Sequence, residues 1–131
     1  MKINDQNYVD EAEKVIKTLI SKSKKDRNGN PDIVTTSKLR NLLAMSADIY
    51  NEVMNQDDDQ LSSDICSRIE YLRVRFLYEA GREKTVRDLV NESHIIEVLK
   101  EVNKSRKNYI LFNRYMEALV AFRKYFVEEN D

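Results

Sequence analysis

Five residues in the middle of the chain combine positive charge with aromatic rings at a regular spacing. They lie three, four, three and four positions apart and are Arg68, Tyr71, Arg75, Tyr78 and Arg82. On an α-helix this spacing places all five along one side, which we call the Arg/Tyr row. Guanidinium groups bind phosphate oxygens in pairs, and tyrosine offers a ring for stacking and a hydroxyl for ribose or phosphate. The row therefore has the chemistry of a nucleic-acid-binding surface.

A purely structural interpretation of the same residues is also open. Acidic residues such as Glu79 and Asp64 lie close enough in sequence to hold these arginines in ion pairs. The tyrosines would then cover the edges of the hydrophobic core. Spacing alone favours this structural interpretation.

A second group of hydroxyl and cationic side chains stands where a helix is expected to begin. It consists of Thr35, Thr36, Ser37, Lys38 and Arg40. Free backbone N–H groups and the helix dipole at such a site favour an anion, so a phosphate could bind there. Helix capping by a hydroxyl explains the same residues without any ligand.

Catalytic and metal chemistry find little support in the composition. His94 is the only histidine and Cys66 the only cysteine, so neither a zinc site nor a Cys–His nucleophile is indicated. We expect Cys66 to be a buried, inert thiol and His94 to begin a helix. With two glycines and one proline, the composition argues against a glycine-rich phosphate loop. We predict no enzyme activity, no metal and no cofactor.

Apolar residues at helical spacing predict an all-α protein, a compact bundle of about five to six helices. The number is open because segments 83–90 and 95–102 could be two helices or one kinked helix. We expect Asp5, Thr35–Ser37 and Ser62 or Ser63 to cap helix starts, and Gly81 to cap a helix end. The predicted helices cover about residues 5–23, 35–53, 62–81, 83–90, 95–102 and 110–126.

The length and charge distribution of the chain indicate its domain organisation. A chain of 131 residues suits one domain, here 1–131, with a flexible loop at 24–34 and an acidic tail at 127–131. The formal net charge is −1, but residues 104–126 carry six bases against one acid. No apolar run is long enough for a membrane span, no apolar segment follows Met1, and the cysteine is single, so we expect a cytoplasmic protein.

Three sequence blocks together resemble one known family. They are TTSKLRNLL at 35–43, YLRVRFLYEAGR at 71–82 and FNRYMEALVA at 112–121. Their order and separation, over about residues 35–126, are similar to those of the small subunits of type III-A CRISPR (Csm) effector complexes. The combination of the second and third blocks is more specific than any single block.

This resemblance implies a non-catalytic helical subunit that stacks in several copies along a ribonucleoprotein filament and lines the channel where guide RNA pairs with target RNA. Neighbouring Csm backbone subunits would cleave the target. Contacts would fall on phosphates, riboses and duplex shape, since any spacer sequence must be accepted. The residues expected to contact RNA are Lys38, Arg40, Arg68, Arg73, Arg75, Tyr78 and Arg82. The acidic Glu128, Glu129 and Asp131 are expected to point away from RNA or to be disordered.

The alternative function is that of a protein–protein adaptor or a helical homodimer without direct RNA contacts. Arginines are frequent anchors of protein interfaces, so the Arg/Tyr row fits this alternative as well. Salt dependence separates the two, because only an RNA-binding surface loses affinity for RNA steeply as salt rises.

Overall fold

The computed structural model describes residues 3–127, and most of these residues are helical. In chain order the helices are α1 (Tyr8–Lys22), α2 (Thr36–Asn55), α3 (Ser63–Arg82), α4 (Lys84–Ser93), α5 (Ile95–Lys100) and α6 (Arg106–Phe126). Residues 3–127 contain no β-strand, only two isolated β-bridges. The all-α prediction is confirmed, and segments 83–90 and 95–102 belong to two separate helices. None of the helices in this range has the length and apolar character needed to cross a bilayer.

Hydroxyl side chains cap three of the helices. The Thr35 hydroxyl accepts a hydrogen bond from the Lys38 backbone N–H at 3.1 Å and begins α2. Ser62 begins α3 through a 3.2 Å bond from the Ile65 N–H. Both caps were expected, and they satisfy N–H groups that lack a partner within the helix.

Two other predicted caps are wrong, and one helix starts earlier than expected. α1 begins after Asn7 rather than at Asp5. Gly81 lies inside α3, which ends at Arg82, and its backbone has no positive φ. α6 begins at Arg106, four residues before the predicted start, because Ser105 accepts a hydrogen bond from the Asn108 N–H at 3.1 Å.

His94 separates α4 from α5. Its φ of 55° and ψ of 31° lie in the left-handed region, where a helix cannot continue, and α5 starts at the next residue. The prediction that His94 stands at a helix start is confirmed.

Helix α6 lies between α1 and α2 and carries polar groups into the core. The Tyr109 hydroxyl donates to the Ser46 carbonyl at 2.8 Å, and the Ser46 hydroxyl donates to Asn113 Oδ1 at 2.9 Å. On another side of α6, the Tyr115 hydroxyl donates to the Ser93 carbonyl at 2.9 Å. Buried polar atoms are costly unless they are hydrogen-bonded, so these bonds fix the position of α6 against α2 and α4.

Arg106 at the start of α6 is bonded to the end of α2 and to the segment that follows it. Its Nε donates to the carbonyls of Val53 and Gln56, at 3.1 and 3.0 Å, where α2 ends. Its backbone N–H donates to the Asp59 carbonyl at 3.0 Å. The segment between α2 and α3 is thereby attached to the start of α6.

The loop at 24–34 is closed by its own hydrogen bonds. Asp26 Oδ1 accepts from the backbone N–H of Asn28 at 2.8 Å and of Asn30 at 3.0 Å, and Gly29 adopts a φ of 84° between them. The loop ends at Ile33 and Val34, which are buried in the core. Residues 24–34 lie between α1 and α2, and the flexibility of this loop stays a prediction. In the predicted tail, Val127 is buried, and residues 128–131 lie outside the described part of the chain.

Replacing Arg106 with alanine is expected to lower the free energy of unfolding by about 1–3 kcal/mol, because two carbonyls at the end of α2 lose a charged donor. Urea unfolding followed by circular dichroism measures the change. Lys107→Ala is the matched control, since Lys107 is an exposed neighbour with a single 3.9 Å ion pair. Equal stability of the two variants would contradict the capping role of Arg106.

Alkaline pH is expected to destabilise the fold through Tyr109 and Tyr115. Burial raises the pKa of both phenols above the ordinary 10.0. A hydrogen bond with Ser46 lowers the pKa of Tyr109 in part, whereas the Glu11 and Glu92 carboxylates raise the pKa of Tyr115 further. The unfolded chain deprotonates first, so stability is full below about pH 10 and falls above it by up to about 1.4 kcal/mol per pH unit for each tyrosine. Urea unfolding across this range measures the slope, which Tyr115→Phe should reduce; an unchanged slope in that variant would refute the assignment.

Candidate functional site

Two ion pairs define how α2 and α3 lie beside each other. Glu52 near the end of α2 pairs with Arg68 near the start of α3. Lys38 near the start of α2 pairs with Glu83, the residue that follows α3. The two helices therefore run antiparallel, with a groove between them about 20 Å long. Lys38 and the Arg/Tyr row, which lie far apart in the sequence, border the same groove.

The Arg/Tyr row lies on the surface, as its spacing predicted. The Tyr71 and Tyr78 side chains are 62% and 59% exposed, and Arg75 and Arg82 are exposed as well. The other side of α3 is buried in the core through Ile65, Ile69, Leu72, Phe76 and Ala80. One helix thus contributes to the core and presents a row of cations and rings to solvent.

Part of the structural interpretation of the row is confirmed. Arg82 pairs with Glu79 at 3.2 Å and its guanidinium lies 5.6 Å from the centre of the Tyr78 ring. Arg68 pairs with Glu52 of α2 rather than with Asp64. Both arginines nevertheless keep exposed side chains, 55% for Arg82 and 38% for Arg68. Ion pairs this exposed contribute little free energy, so a phosphate can replace the carboxylate at low cost.

Arg75 differs from the other two arginines of the row. It is exposed, and within residues 3–127 it forms no ion pair. It lies seven positions from both Arg68 and Arg82, about 10 Å along the helix from each. The centre of the row therefore offers an uncompensated guanidinium group.

Two predicted site residues lie away from the groove. Arg73 is five positions after Arg68, about 140° around α3, and pairs with Glu70 at 3.2 Å. Arg40 is two positions after Lys38, about 200° around α2, where it is exposed and has no ion pair among the described residues. The structure brings together Lys38, Arg68, Arg75, Tyr78 and Arg82, and leaves Arg40 and Arg73 on other faces.

The basic stretch at 104–126 does not form one cationic surface. Arg106 caps α2, and Arg123 is fully buried with its Nε donating to the Val34 carbonyl at 2.7 Å. Helical spacing did place Arg123 on the apolar side of α6, so its burial was detectable in the sequence. Sequence reasoning missed the capping role of Arg106, because no local pattern predicts a hydrogen bond to a helix some 50 residues away.

Cys66 and His94 take no part in this surface. Cys66 is half-buried rather than buried, and its thiol lies 3.9 Å from the Leu61 carbonyl. His94 lies at the α4–α5 junction, beside a polar cleft that also includes Lys84 and Asp88. Within residues 3–127, no three His, Cys, Asp or Glu side chains are grouped closely enough to hold a metal ion.

The Arg68–Glu52 pair is expected to contribute less than about 1 kcal/mol to folding, because both side chains are exposed. A double-mutant cycle with Arg68→Ala and Glu52→Ala, followed by urea unfolding, measures this coupling. A coupling of about 3 kcal/mol or more would show that Arg68 is a structural anchor of the α2–α3 pair.

Comparison with known proteins identifies the chain's relatives. The family described as Csm2 Type III-A matches residues 6–129. A protein named CRISPR system Cms protein Csm2 from Streptococcus thermophilus is 43% identical over 124 residues, which cover 95% of this chain and 94% of that protein. Proteins of the same name from Enterococcus italicus and Mycobacterium tuberculosis are 39% and 37% identical, covering 88% and 95% of this chain and 86% and 95% of their own lengths. The chain therefore belongs to the Csm2 family of type III-A CRISPR systems.

Proposed function

We propose that this protein is a non-catalytic small subunit of a type III-A CRISPR (Csm) ribonucleoprotein complex, and that it binds guide and target RNA along the α2–α3 groove. Family membership supports the complex. The observation that supports RNA contact is the exposed Arg/Tyr row, with the guanidinium of Arg75 uncompensated at its centre.

The chemistry of the row suits binding that does not depend on base sequence. An antiviral guide complex must accept any spacer, so base pairing reads the sequence and the protein holds the backbone. Arginines about 10 Å apart along one helix can each reach a different phosphate of a strand. Tyrosine hydroxyls beside them can bind ribose.

The proposed contacts differ in strength. Arg75 needs no rearrangement, whereas Arg68, Arg82 and Lys38 must exchange a carboxylate for a phosphate. Such exchange releases Glu52, Glu79 and Glu83 into solvent, where charge is well hydrated. Arg40 and Arg73 remain candidates only for a second strand or a neighbouring subunit, since they lie on other faces.

Assembly with other Csm subunits and with further copies of the chain would supply most of the affinity. Several weak sites on one RNA bind together far more tightly than one site alone. We place this assembly in the cytoplasm, and we propose that the whole chain acts as one domain because one hydrophobic core includes residues of all six helices. Catalysis is assigned to other subunits.

A protein–protein adaptor is the second candidate function, and one observation favours it. Val74 and Leu77 of α3 are 55% and 51% exposed, on the side of the helix beyond the tyrosines of the row. They are neighbours on the helix surface, and contiguous exposed apolar patches are a feature of protein interfaces. They fit contact with a neighbouring subunit, which is compatible with RNA binding in the groove.

Replacing Arg68, Arg75 and Arg82 together with alanine is expected to weaken binding of target RNA by the reconstituted complex. The salt dependence should also fall, by about one unit of slope for each phosphate-binding arginine that is removed. Fluorescence anisotropy of labelled target RNA at several salt concentrations measures both effects.

The matched control replaces Lys14, Lys100 and Lys124, three exposed cations on α1, α5 and α6. It removes the same charge outside the α2–α3 pair, so it should leave the slope nearly unchanged. Circular dichroism checks that both variants keep their helices. RNA binding equal to wild type in the arginine variant would refute the proposal, and so would equal weakening by the two variants.

A further inference from the structure

The groove between α2 and α3 widens into a cavity of about 560 Å³ beside the first three residues of the Arg/Tyr row. Its floor is apolar and is formed by Met45 and Ile49 of α2 and Leu72 of α3. Its rim carries Arg68, Tyr71 and Arg75. The volume lies within the range of small-molecule sites and exceeds what one nucleobase needs.

The mixture of lining groups matches an unpaired nucleobase better than a phosphate alone. Apolar side chains receive the flat face of a base, and a tyrosine ring or a guanidinium plane stacks on it. The Tyr71 ring is 62% exposed, so it has a free face for stacking. The Asp48 carboxylate on the α2 side of the cavity can accept a hydrogen bond from a base N–H.

We infer that this cavity holds one unpaired base of an RNA strand, with the flanking phosphates on Arg68 and Arg75; the inference rests on the proposed RNA-binding function. A base has ring faces whatever its identity, so such a slot tolerates any sequence. It would also fix the register of the strand on the subunit, which phosphate contacts alone do not.

Charge complementarity favours RNA over an apolar helix of a protein as the occupant. A protein helix in the groove would cover Arg75, which has no carboxylate partner among the described residues. Burying an unpaired guanidinium is costly. An RNA strand would place a base against the apolar floor and phosphates against the arginines of the rim, so the apolar and the charged groups of the cavity would both be in contact with the ligand.

The test compares two fluorescein-labelled single-stranded RNAs of about 12 nucleotides, one with all its bases and one abasic throughout. Both carry the same phosphates and riboses, so their difference in affinity for the full-length chain isolates the bases. Wild-type protein is expected to bind the base-containing strand about tenfold more tightly. Tyr71→Ala should remove most of this preference and leave the salt slope unchanged, and Tyr71→Phe should retain the preference.

Tyr125→Ala is the matched control, because Tyr125 is 78% exposed on α6, outside the groove. It should behave like wild type. Arg75→Gln should reduce the salt slope by about one unit for both strands.

The outcomes separate this inference from the function on which it rests. If Tyr71→Ala keeps the preference while Arg75→Gln lowers the slope, the base slot is refuted and RNA binding stands. If the wild-type chain binds neither strand at millimolar concentration, or Arg75→Gln leaves the salt slope unchanged, both the base slot and the proposed RNA binding are refuted. If Tyr71→Ala alters only self-association in sedimentation, the occupant is a second copy of the chain and the base slot is refuted.

Discussion

The hydrogen bonds around Ser46 are the constraint on which the arrangement of helices depends. Ser46 is fully buried, its hydroxyl donates to Asn113, and its carbonyl accepts from Tyr109. Sliding or rotation of α6 against α2 would take these partners from the Tyr109 hydroxyl and Asn113 Oδ1 in the core, at a cost of about 1–3 kcal/mol each. Burial of apolar surface has no preferred direction, whereas these hydrogen bonds require one position of α6 against α2.

One side of α2 is occupied by α6, and α3 packs beside α2 and over α4 and α5. Its apolar side closes the core, and no helix of the described chain covers its other side. Arg106 reinforces this placement, since it ties the α2–α3 linker to the start of α6. The start of α6 thus helps to hold α3 with its apolar side inward and the Arg/Tyr row outward, although α6 contributes no residue to the row.

Local signals in the sequence predicted most of the fold. Helical spacing located the buried side of α3, and the hydroxyls of Thr35 and Ser62 marked two helix starts. The prediction that Gly81 caps the end of α3 was wrong: glycine often has this role, but α3 continues through Gly81 to Arg82. The ion pairs Arg68–Glu52 and Lys38–Glu83 join residues distant in sequence, and spacing cannot report which helices become neighbours. For that reason spacing could place Arg40 and Arg73 on other faces than Lys38 and the Arg/Tyr row, but it could not tell which face borders a neighbouring helix.

The ion pairs in the groove do more than compete with RNA. A free arginine side chain has many rotamers, and ordering it on a phosphate costs conformational entropy. Glu52 and Glu79 hold Arg68 and Arg82 at the surface beside the groove before any ligand arrives. Because these pairs are exposed, exchanging a carboxylate for a phosphate costs little, and part of the ordering cost has already been met in folding. The interpretation that pairs these arginines with acids and the one that assigns them to RNA are therefore compatible: the same carboxylates that neutralise the row also prearrange it.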